Sequence, residues 1–470
     1  MPSFAINKKK ALYWAITIIL AAAGYFLPLG EVYTMPMKRF FAITILGLCI
    51  LAFELMDNFA LGMMMPTLWV MTGVTDFATA FSPYVSSNFF LLLNAMLFAM
   101  ILAKTGLMNR IGYSLIVKFG GTYESGVWAI FIIGTVLSFV SMMNSAILTC
   151  TIALSMIMAL GIKPNEKAAV PIMTAVVLSC ANAKVICYSP ISITIMNASV
   201  QSIIPDFLID YPTLVWHNWP MFVFMILFQW AVLKWYQRSR KKSDVNFDLS
   251  AFKAENMAKY QALGKMSNNE RICTVMLISI FAWMGLYTLK VIPFDVVYAF
   301  ILANVVFYLL GIADASDVRQ INFGMTVVVM AFVAVGTVAT QINATALISS
   351  GIAHLFGSLS GYWASFATLL FGTAANFVLT PYAMMSMLPA TVAAYCQELG
   401  LAFFPQFNAC YNAADIIFFP YEYPLILIIF GFGLCNMAQT VKMLTSKALT
   451  SIAFIALIMM PYWYLLGLYN

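Results

Sequence analysis

The segment CANAKVICYSPIS, residues 180–192, decides how the fold of this chain is predicted. It places Lys184 deep in an apolar stretch, with 16 uncharged residues before it and 21 after it. Pro190 follows six residues later, directly after Ser189. A proline inside a helix removes a backbone hydrogen bond and clashes with the preceding turn. The segment therefore predicts a helix that is interrupted beside a buried positive charge.

The composition of the chain places this interrupted helix in a membrane. Of the 470 residues, 63% are hydrophobic and 9% are charged, whereas a soluble domain carries about 25% charged residues. A membrane-spanning helix needs ~20 mostly apolar residues. The run 320–397 alone has 78 residues without Asp, Glu, Lys or Arg. We therefore expect an all-α polytopic membrane protein.

The basic residues predict the orientation of the chain. Segment 234–271 contains nine Lys or Arg against four Asp or Glu, which makes it cytoplasmic by the positive-inside rule. The lysines at 8–10 place the N-terminus on the same side, so we expect an inner-membrane protein with its C-terminus outside. The net charge of +6 reflects this topology rather than binding to nucleic acid. A cleaved signal peptide is the less favoured alternative for the first apolar segment, because the segments after it are themselves spans.

The apolar segments predict eleven spanning helices and two re-entrant hairpins. We expect the helices at 12–28, 40–55, 58–73, 88–105, 168–200, 213–235, 272–290, 295–313, 322–341, 409–434 and 448–467. The hairpins are expected at 127–160 and 363–394, because polar and small residues fill their middles. Two short crossings are the alternative for each. The resulting domains are an N-terminal helix (1–36), a first repeat (37–236), a cytoplasmic linker (237–271) and a second repeat (272–470).

The two halves resemble each other in sequence. Residues 101–107 match 337–343 at an offset of 236, Asn144 matches Asn376 at 232, and Ser189-Pro190 matches Phe419-Pro420 at 230. If the first helix stands apart, each half has five spans, and an odd number inverts the second copy relative to the first. Inverted repeats with broken helices are typical of secondary transporters.

Polar and ionisable residues converge in four places, in the two hairpins and in the two interrupted helices. They are Ser141, Asn144, Ser145 and Thr149; Asn182, Lys184, Ser189, Pro190 and Ser192; Thr373, Asn376, Thr380 and Pro381; and Asn412, Asp415, Pro420, Tyr421, Glu422 and Pro424. A charge inside the membrane costs ~2.5–3.5 kcal/mol on insertion scales, so Lys184, Asp415 and Glu422 are predicted to be functional. A Lys184–Asp415 pair that only joins the halves is the structural alternative.

Two further motifs connect the chain to a known family. LAKTGLMNRIG (102–112) is similar to a Gly-Leu-x-x-Arg segment, and YQALGKMSNNER (260–271) is similar to the start of span seven, in the divalent anion:sodium symporter family. The chain resembles this family, within the ion transporter superfamily, along nearly its whole length. The resemblance implies eleven spans, two hairpins, a homodimer and an elevator motion, in which the hairpin domain carries substrate past a fixed scaffold.

The family resemblance also implies the site. The hairpin tips, Ser-Asn-Thr in the family, correspond here to Met143-Asn144-Ser145 and Ala375-Asn376-Phe377, or in another register to Thr149 and Thr380. The Pro-Pro-Asn breaks correspond to 189–192 and 420–422. The predicted substrate-binding residues are Asn144, Ser145, Thr149, Ser189, Pro190, Ser192, Asn376, Thr380, Pro420, Tyr421 and Glu422. Lys184 falls at about the position of a family sodium site, which predicts exchange or proton coupling through Lys184 and Asp415 in place of sodium dependence.

The predicted function is secondary active transport of a small organic anion, most simply a dicarboxylate. The sequence shows no phosphate-binding loop, metal motif or nucleophile constellation, so we expect no enzyme activity, no cofactor and no metal. One alternative is a carrier for a zwitterion or cation, held by Glu422 and the aromatic residues Tyr382, Tyr421 and Tyr423. A membrane-embedded enzyme or sensor is the other alternative, and it would need a catalytic set or an attached soluble domain.

Overall fold

A computed structural model describes most of the chain. The described residues are 8–28, 30–53, 55–119, 122–141, 145–239, 249–321, 323–344, 346–347, 359–377 and 381–470. Within these ranges the chain is helical throughout, and no β-strand forms. The predicted all-α architecture is thereby confirmed.

The first half of the chain contains the first hairpin and the first interrupted helix. Its helices are α1 (Lys8–Tyr25), α2 (Met35–Ala52), α3 (Asn58–Met71), α4 (Phe77–Phe81), α5 (Ser87–Lys104), α6 (Leu107–Phe119), α7 (Tyr123–Val140), α8 (Ala146–Ala159), α9 (Ala169–Ala181), α10 (Pro190–Gln201), α11 (Tyr211–Asn218) and α12 (Pro220–Ser239). Helices α7 and α8 lie in the segment predicted as the first hairpin, 127–160, and the choice between a re-entrant hairpin and two short crossings stays a prediction.

The second half contains the second hairpin and the second interrupted helix. Its helices are α13 (Ser250–Ala262), α14 (Asn268–Thr288), α15 (Val296–Leu309), α16 (Ala315–Gln320), α17 (Phe323–Gln341), α18 (Gly361–Ala375), α19 (Pro381–Leu399), α20 (Phe403–Ala413), α21 (Pro424–Gly431), α22 (Met437–Phe454) and α23 (Met460–Leu465). A π-helical turn, Ile455–Met459, joins α22 to α23. The second hairpin, α18 with α19, continues five residues beyond the predicted 363–394.

Several helices differ from the prediction because local capping outweighed hydrophobic periodicity. The helix predicted at 448–467 begins at Met437, where the Asn436 side chain accepts a hydrogen bond from the Gln439 amide at 2.9 Å. The helix predicted at 213–235 is two helices that meet at Trp219, just before Pro220. The charged linker predicted at 237–271 contains α13 and the start of α14, both outside the apolar pattern.

Five described segments are long and apolar enough to cross a membrane: Phe77–Lys104, Tyr123–Val140, Asn268–Thr288, Phe323–Gln341 and Met437–Leu465. Other apolar helices, among them α3, α8, α9 and α15, are shorter. Short helices are expected where a hairpin turns back or an interrupted helix reaches only halfway. The protein is therefore a membrane protein, and its number of complete spans remains a prediction.

The hairpins and interrupted helices pack in a reciprocal way. Helix α7 packs against α9, and α18 packs against α20. Helix α10 packs against α19 of the other half, and α21 packs against α8. Glycines permit the two close approaches, since a Cβ at Gly134 would lie 2.0 Å from the Ser179 hydroxyl and one at Gly372 would lie 2.7 Å from the Ala413 Cβ. Each hairpin therefore contacts both interrupted helices.

An ion pair fixes the helices next to the charged linker. Arg110 of α6 donates to both carboxylate oxygens of Glu270 on α14, at 2.8 and 3.1 Å. The same guanidinium donates to the carbonyls of Leu263, Gly264 and Lys265, at 2.9–3.2 Å. The Glu270 side chain is only 4% exposed. Arg110 thus neutralises a buried carboxylate and also satisfies the carbonyls at the end of α13.

We predict that Arg110→Ala destabilises the protein by about 3–5 kcal/mol, because a buried carboxylate would lose its partner. Arg110→Lys should recover only part of the loss, since an ammonium cannot make the bidentate contact. The measurement is the thermal unfolding midpoint in detergent. Arg271→Ala is the matched control, because Arg271 is adjacent in sequence and exposed. Equal midpoints for Arg110→Ala and Arg271→Ala would contradict this role.

Candidate functional site

The first break lies earlier than the sequence predicted. Helix α9 ends at Ala181, nine residues before Pro190, and a short 3-10 turn, Ala183–Val185, intervenes before α10. Lys184 therefore lies within the opened segment itself. Ser189 begins the second half-helix by accepting the Ser192 amide at 3.4 Å, and its hydroxyl donates to the Ser192 hydroxyl at 2.9 Å. Both serines are buried.

The second break is closed by side chains that bind its opened backbone. Helix α20 ends at Ala413, and a 3-10 turn, Pro420–Glu422, precedes α21. The Glu422 carboxylate accepts the amides of Phe419 and Phe418 at 3.0 and 3.2 Å. From the second hairpin, the Asn376 amide donates to the Ala413 and Ile416 carbonyls, at 2.7 and 3.1 Å. Buried backbone groups need such partners, so Asn376 and Glu422 stabilise the break.

A buried ion pair joins the two breaks. The Lys184 ammonium lies 3.1 Å from a carboxylate oxygen of Asp415, and the two side chains are 5% and 9% exposed. The same ammonium lies 4.7 Å from the centre of the Tyr411 ring, a cation–π contact. The Tyr411 hydroxyl donates to the Lys184 carbonyl at 2.9 Å. The structure thus brings together the two residues that the sequence proposed as a coupled pair.

A second buried lysine completes this cluster. Lys447 on α22 is 3% exposed, and its ammonium donates to the backbone carbonyl of Asp415. It interacts electrostatically with both Asp415 and Lys184. Sequence reasoning missed Lys447 because the helix was predicted to begin at 448. The spacing of the buried residues could have identified Lys447, since it follows Thr440 and Leu444 on one face of the helix.

The charges of the cluster do not balance. Lys184 and Lys447 carry two positive charges when ionised, and Asp415 carries one negative charge. Glu422 makes its hydrogen bonds with backbone amides at the second break and does not neutralise the second lysine. An unpaired buried charge is costly. Among the described residues, the cluster therefore holds one more basic than acidic side chain.

An unsatisfied asparagine lies at the first break. Asn182 is 3% exposed, and neither its Oδ1 nor its Nδ2 has a hydrogen-bond partner in the described part of the chain. Asn412, offset by 230 residues, instead donates to the Asn218 side chain at 2.6 Å and to the Asn408 carbonyl at 2.8 Å. Most buried polar side chains are hydrogen-bonded. Asn182, noticed in the sequence but not assigned to the site, is therefore a candidate ligand contact.

The remaining predicted site residues are distributed around the breaks. The Ser145 hydroxyl lies 2.6 Å from that of Ser138 and 3.4 Å from the Cys180 sulfur, near the end of α9. Thr149 donates to the Ser145 carbonyl at 3.0 Å, a bond within its own helix. Asn144 and Thr380 lie outside the described residues. Tyr421 lies in the turn with Pro420, and its side chain is outside the description, as is that of Tyr382.

No group of three or more His, Cys, Asp or Glu side chains that could hold a metal ion occurs in the described ranges. Ser145 and the two breaks instead offer hydroxyl, amide and ammonium groups. Such donors bind carboxylates and similar anions.

Comparison with known proteins shows the fold. No protein-family model matches the sequence, and no curated protein matches it. Among solved structures, the YdaH transporter of Alcanivorax borkumensis is similar, with a TM-score of 0.53 and 13% identity over 98% of this chain and 99% of that chain. MtrF of Neisseria gonorrhoeae, described with a class of antimetabolite efflux pumps, gives a TM-score of 0.49 and 13% identity over 97% and 93%. The chain thus shares the fold of a membrane transporter, YdaH, and membership of the symporter family remains a proposal.

The charge imbalance predicts an order of stability among three variants. Asp415→Asn should be the most destabilising, because it leaves two buried lysines without a counter-charge. Lys184→Met and Lys447→Met should each cost less, since either leaves one positive and one negative charge. The double variant Lys184→Met with Asp415→Asn should be more stable than Asp415→Asn alone. Thermal unfolding midpoints in detergent measure this order.

The same series contains its own control. Lys442→Met removes an exposed lysine from the helix that carries Lys447 and should leave the midpoint unchanged. If the double variant were less stable than both of its parent single variants, the charges would not be coupled as described.

Proposed function

We propose that this protein is a secondary active transporter that moves a small organic anion, a dicarboxylate in the simplest case, across the inner membrane. The observation that carries the proposal is the buried cluster of Lys184, Asp415 and Lys447 where the two helix breaks meet. The shared fold with the YdaH transporter supports transport as the activity. The excess positive charge supports an anion as the cargo.

The proposed binding site uses groups from both halves. One substrate carboxylate accepts hydrogen bonds from Lys447, which uses one of its three donors for the Asp415 carbonyl. The Asn182 amide and the Ser192 hydroxyl supply further donors at the first break, and Ser189, which donates its proton to Ser192, orients that hydroxyl. The positive end of the α10 dipole favours negative charge there. The hairpin residues Asn144, Ser145, Thr149, Asn376 and Thr380, with Pro190, Pro420, Tyr421 and Glu422, shape the site around these groups.

The proposed mechanism is an elevator motion of two inverted repeats. Helix α10 of the first half packs on α19 of the second half, and α21 of the second half packs on α8 of the first half. Each contact is the counterpart of the other with the halves interchanged, which supports the repeat. The resemblance to the divalent anion:sodium symporter family supports the elevator and a homodimer. The charged linker supports a cytoplasmic N-terminus and a C-terminus outside. In this proposal the hairpins and breaks move together, and the other helices form the fixed scaffold.

The proposed coupling does not require sodium. Lys184 places a fixed ammonium at the first break, about where the family binds a sodium ion. An empty site would retain the excess positive charge of the cluster, whereas a site loaded with a dicarboxylate that carries one proton would be neutral. Moving a charge through a low-dielectric region is costly. This favours exchange of one anion for another, or entry of an anion together with a proton.

A carrier for a zwitterion or cation on the same scaffold is the alternative. Its sequence argument rests on Glu422, which would hold an ammonium group. Both oxygens of Glu422 accept backbone amides at the second break, so the carboxylate already has a structural role. The anion proposal is therefore the better supported of the two.

The proposal predicts that Lys447→Gln lowers succinate uptake into proteoliposomes at least about tenfold, since a charge-assisted hydrogen bond contributes ~1.5–3 kcal/mol. Lys442→Gln, on the exposed face of the same helix, should transport like the wild type. Uptake is measured with unlabelled succinate, other dicarboxylates or amino acids inside the vesicles. Equal uptake by Lys447→Gln and Lys442→Gln would contradict the proposed site.

Replacing sodium by potassium in the same assay decides the coupling. The wild type should retain its uptake, and Lys184→Gly should gain dependence on sodium. Strict loss of wild-type uptake without sodium would overturn the sodium-independent mechanism while leaving the anion site intact.

A further inference from the structure

A cleft whose lining does not include Lys184 or Lys447 lies beside the first break. It opens between α10, the segment 208–212, the end of α14 and the start of α15, at the end of the molecule opposite the charged linker. The volume that the centre of a water-sized molecule can reach inside it is about 50 Å³, which is room for a few water molecules or one small organic ion. Its lining contains Asp210 and Asp295 but no lysine or arginine.

Aromatic rings and the two carboxylates converge in this cleft. Tyr188, Tyr211 and Tyr287 all line it. The Tyr287 phenol interacts electrostatically with both Asp210 and Asp295, and the Tyr188 phenol interacts with Asp295. The rings of Tyr188 and Tyr211 meet edge to face, with their centres 5.5 Å apart. The two carboxylates and the three tyrosines therefore line the same space.

Helix capping explains only part of this arrangement. Asp210 accepts the Thr213 amide at 2.9 Å, and Asp295 accepts the Val296 amide, so each carboxylate begins a helix. Capping does not explain the Tyr188 hydroxyl, which belongs to a residue that is 2% exposed and has no partner in the described chain. The hydroxyl of Thr194, 1% exposed and also lining the cleft, is unpartnered as well. Buried hydroxyls in this state indicate a missing hydrogen-bonding group.

We propose that this cleft binds a small organic ammonium ion, specifically a primary alkylammonium. The two aspartates supply opposite charge, the tyrosine rings supply cation–π contacts, and the unpartnered hydroxyls accept the N–H bonds. A bare metal ion fits less well, because no cluster of three acidic, His or Cys ligands forms among the described residues. The site is separate from the proposed anion site, since neither Lys184 nor Lys447 lines it.

The location of the cleft gives the bound ion an effect on transport. Tyr211 lines the cleft and donates to the Ile186 carbonyl, at 2.5 Å, in the opened segment of the first break. Helix α10 forms one wall, and α14 with α15 forms another. An ion that bridges these walls holds the first break against its neighbours. Occupancy of the cleft therefore slows any motion of α10 past α14.

The test uses the full-length protein in detergent with n-propylammonium chloride as the probe. The thermal unfolding midpoint should rise and saturate with probe concentration, because a ligand stabilises the state it binds. Sodium chloride at equal ionic strength and n-propanol, the uncharged analogue, should give no saturable rise. No rise beyond these two controls in the wild type would overturn the proposal, whatever the variants do.

Variants that keep the caps locate the binding. Asp210→Asn and Asp295→Asn should each weaken the apparent affinity about tenfold or more, because asparagine still caps a helix but carries no charge. Asp76→Asn is the matched control, since Asp76 caps α4 and does not line the cleft. Tyr188→Phe should weaken binding without removing the ring. Unchanged affinity in both cleft aspartate variants would place the ion elsewhere and contradict the proposal.

The readout is independent of the proposed transport activity. Lys447→Gln should bind the probe like the wild type even where it abolishes anion uptake. If the wild-type protein binds the probe but transports no anion, the cleft proposal stands and only the proposed transport function is contradicted.

Discussion

The rest of the structure depends on the cost of burying charge. Lys184 and Asp415 come from opposite halves of the chain, and each would be strongly unfavourable alone in an apolar interior. Their contact at 3.1 Å requires both helix breaks to lie at the same place. The hairpins must then pack around that place, because the opened backbone needs partners. A single electrostatic constraint thereby accounts for the meeting of two segments that are 230 residues apart.

The two breaks satisfy their freed groups in different ways. At the second break, Asn376 and Glu422 bind the opened backbone, and Lys447 takes the Asp415 carbonyl. At the first break, Asn182 has no partner in the described chain. The opened backbone of the second break is thus bound by side chains, whereas the Asn182 side chain at the first break is without a partner among the described residues. The two breaks therefore differ in their hydrogen bonds although the two halves resemble each other in sequence.

The sequence predicted the elements that follow from hydrophobicity and from proline. The Lys184–Asp415 pair agrees with the structure, because burying either charge alone is costly. Helices α7 and α8 lie in the segment predicted as a hairpin at 127–160, and the interruption predicted at Pro190 begins earlier, after Ala181. Lys447 was missed because the first part of the helix, residues 437–447, is more polar than the apolar run from 448 that defined the predicted helix. The early end of α9 at Ala181 was missed because no proline or glycine marks it; only the Asn182 side chain and tertiary packing lie there.

Two arrangements of side chains were also beyond reach from the sequence. The role of Glu422 depends on the amides of Phe418 and Phe419, which a helical prediction leaves in ordinary helix bonds. The cleft lined by Asp210 and Asp295 depends on separate parts of the chain, α5, α10, the segment 208–212, α14 and α15, that meet at one place. Each aspartate alone is an ordinary helix cap. Only their shared position beside three tyrosines supports the proposal that they also bind a ligand.

The most direct measurement of the central claim is a cryo-EM map of the protein in nanodiscs, recorded with and without succinate. The account predicts additional density within hydrogen-bonding distance of the Lys447 ammonium and the Asn182 side chain, with the Lys184–Asp415 contact retained. Succinate density that is absent from both residues, or a Lys447 that faces lipid in the map, would contradict the account.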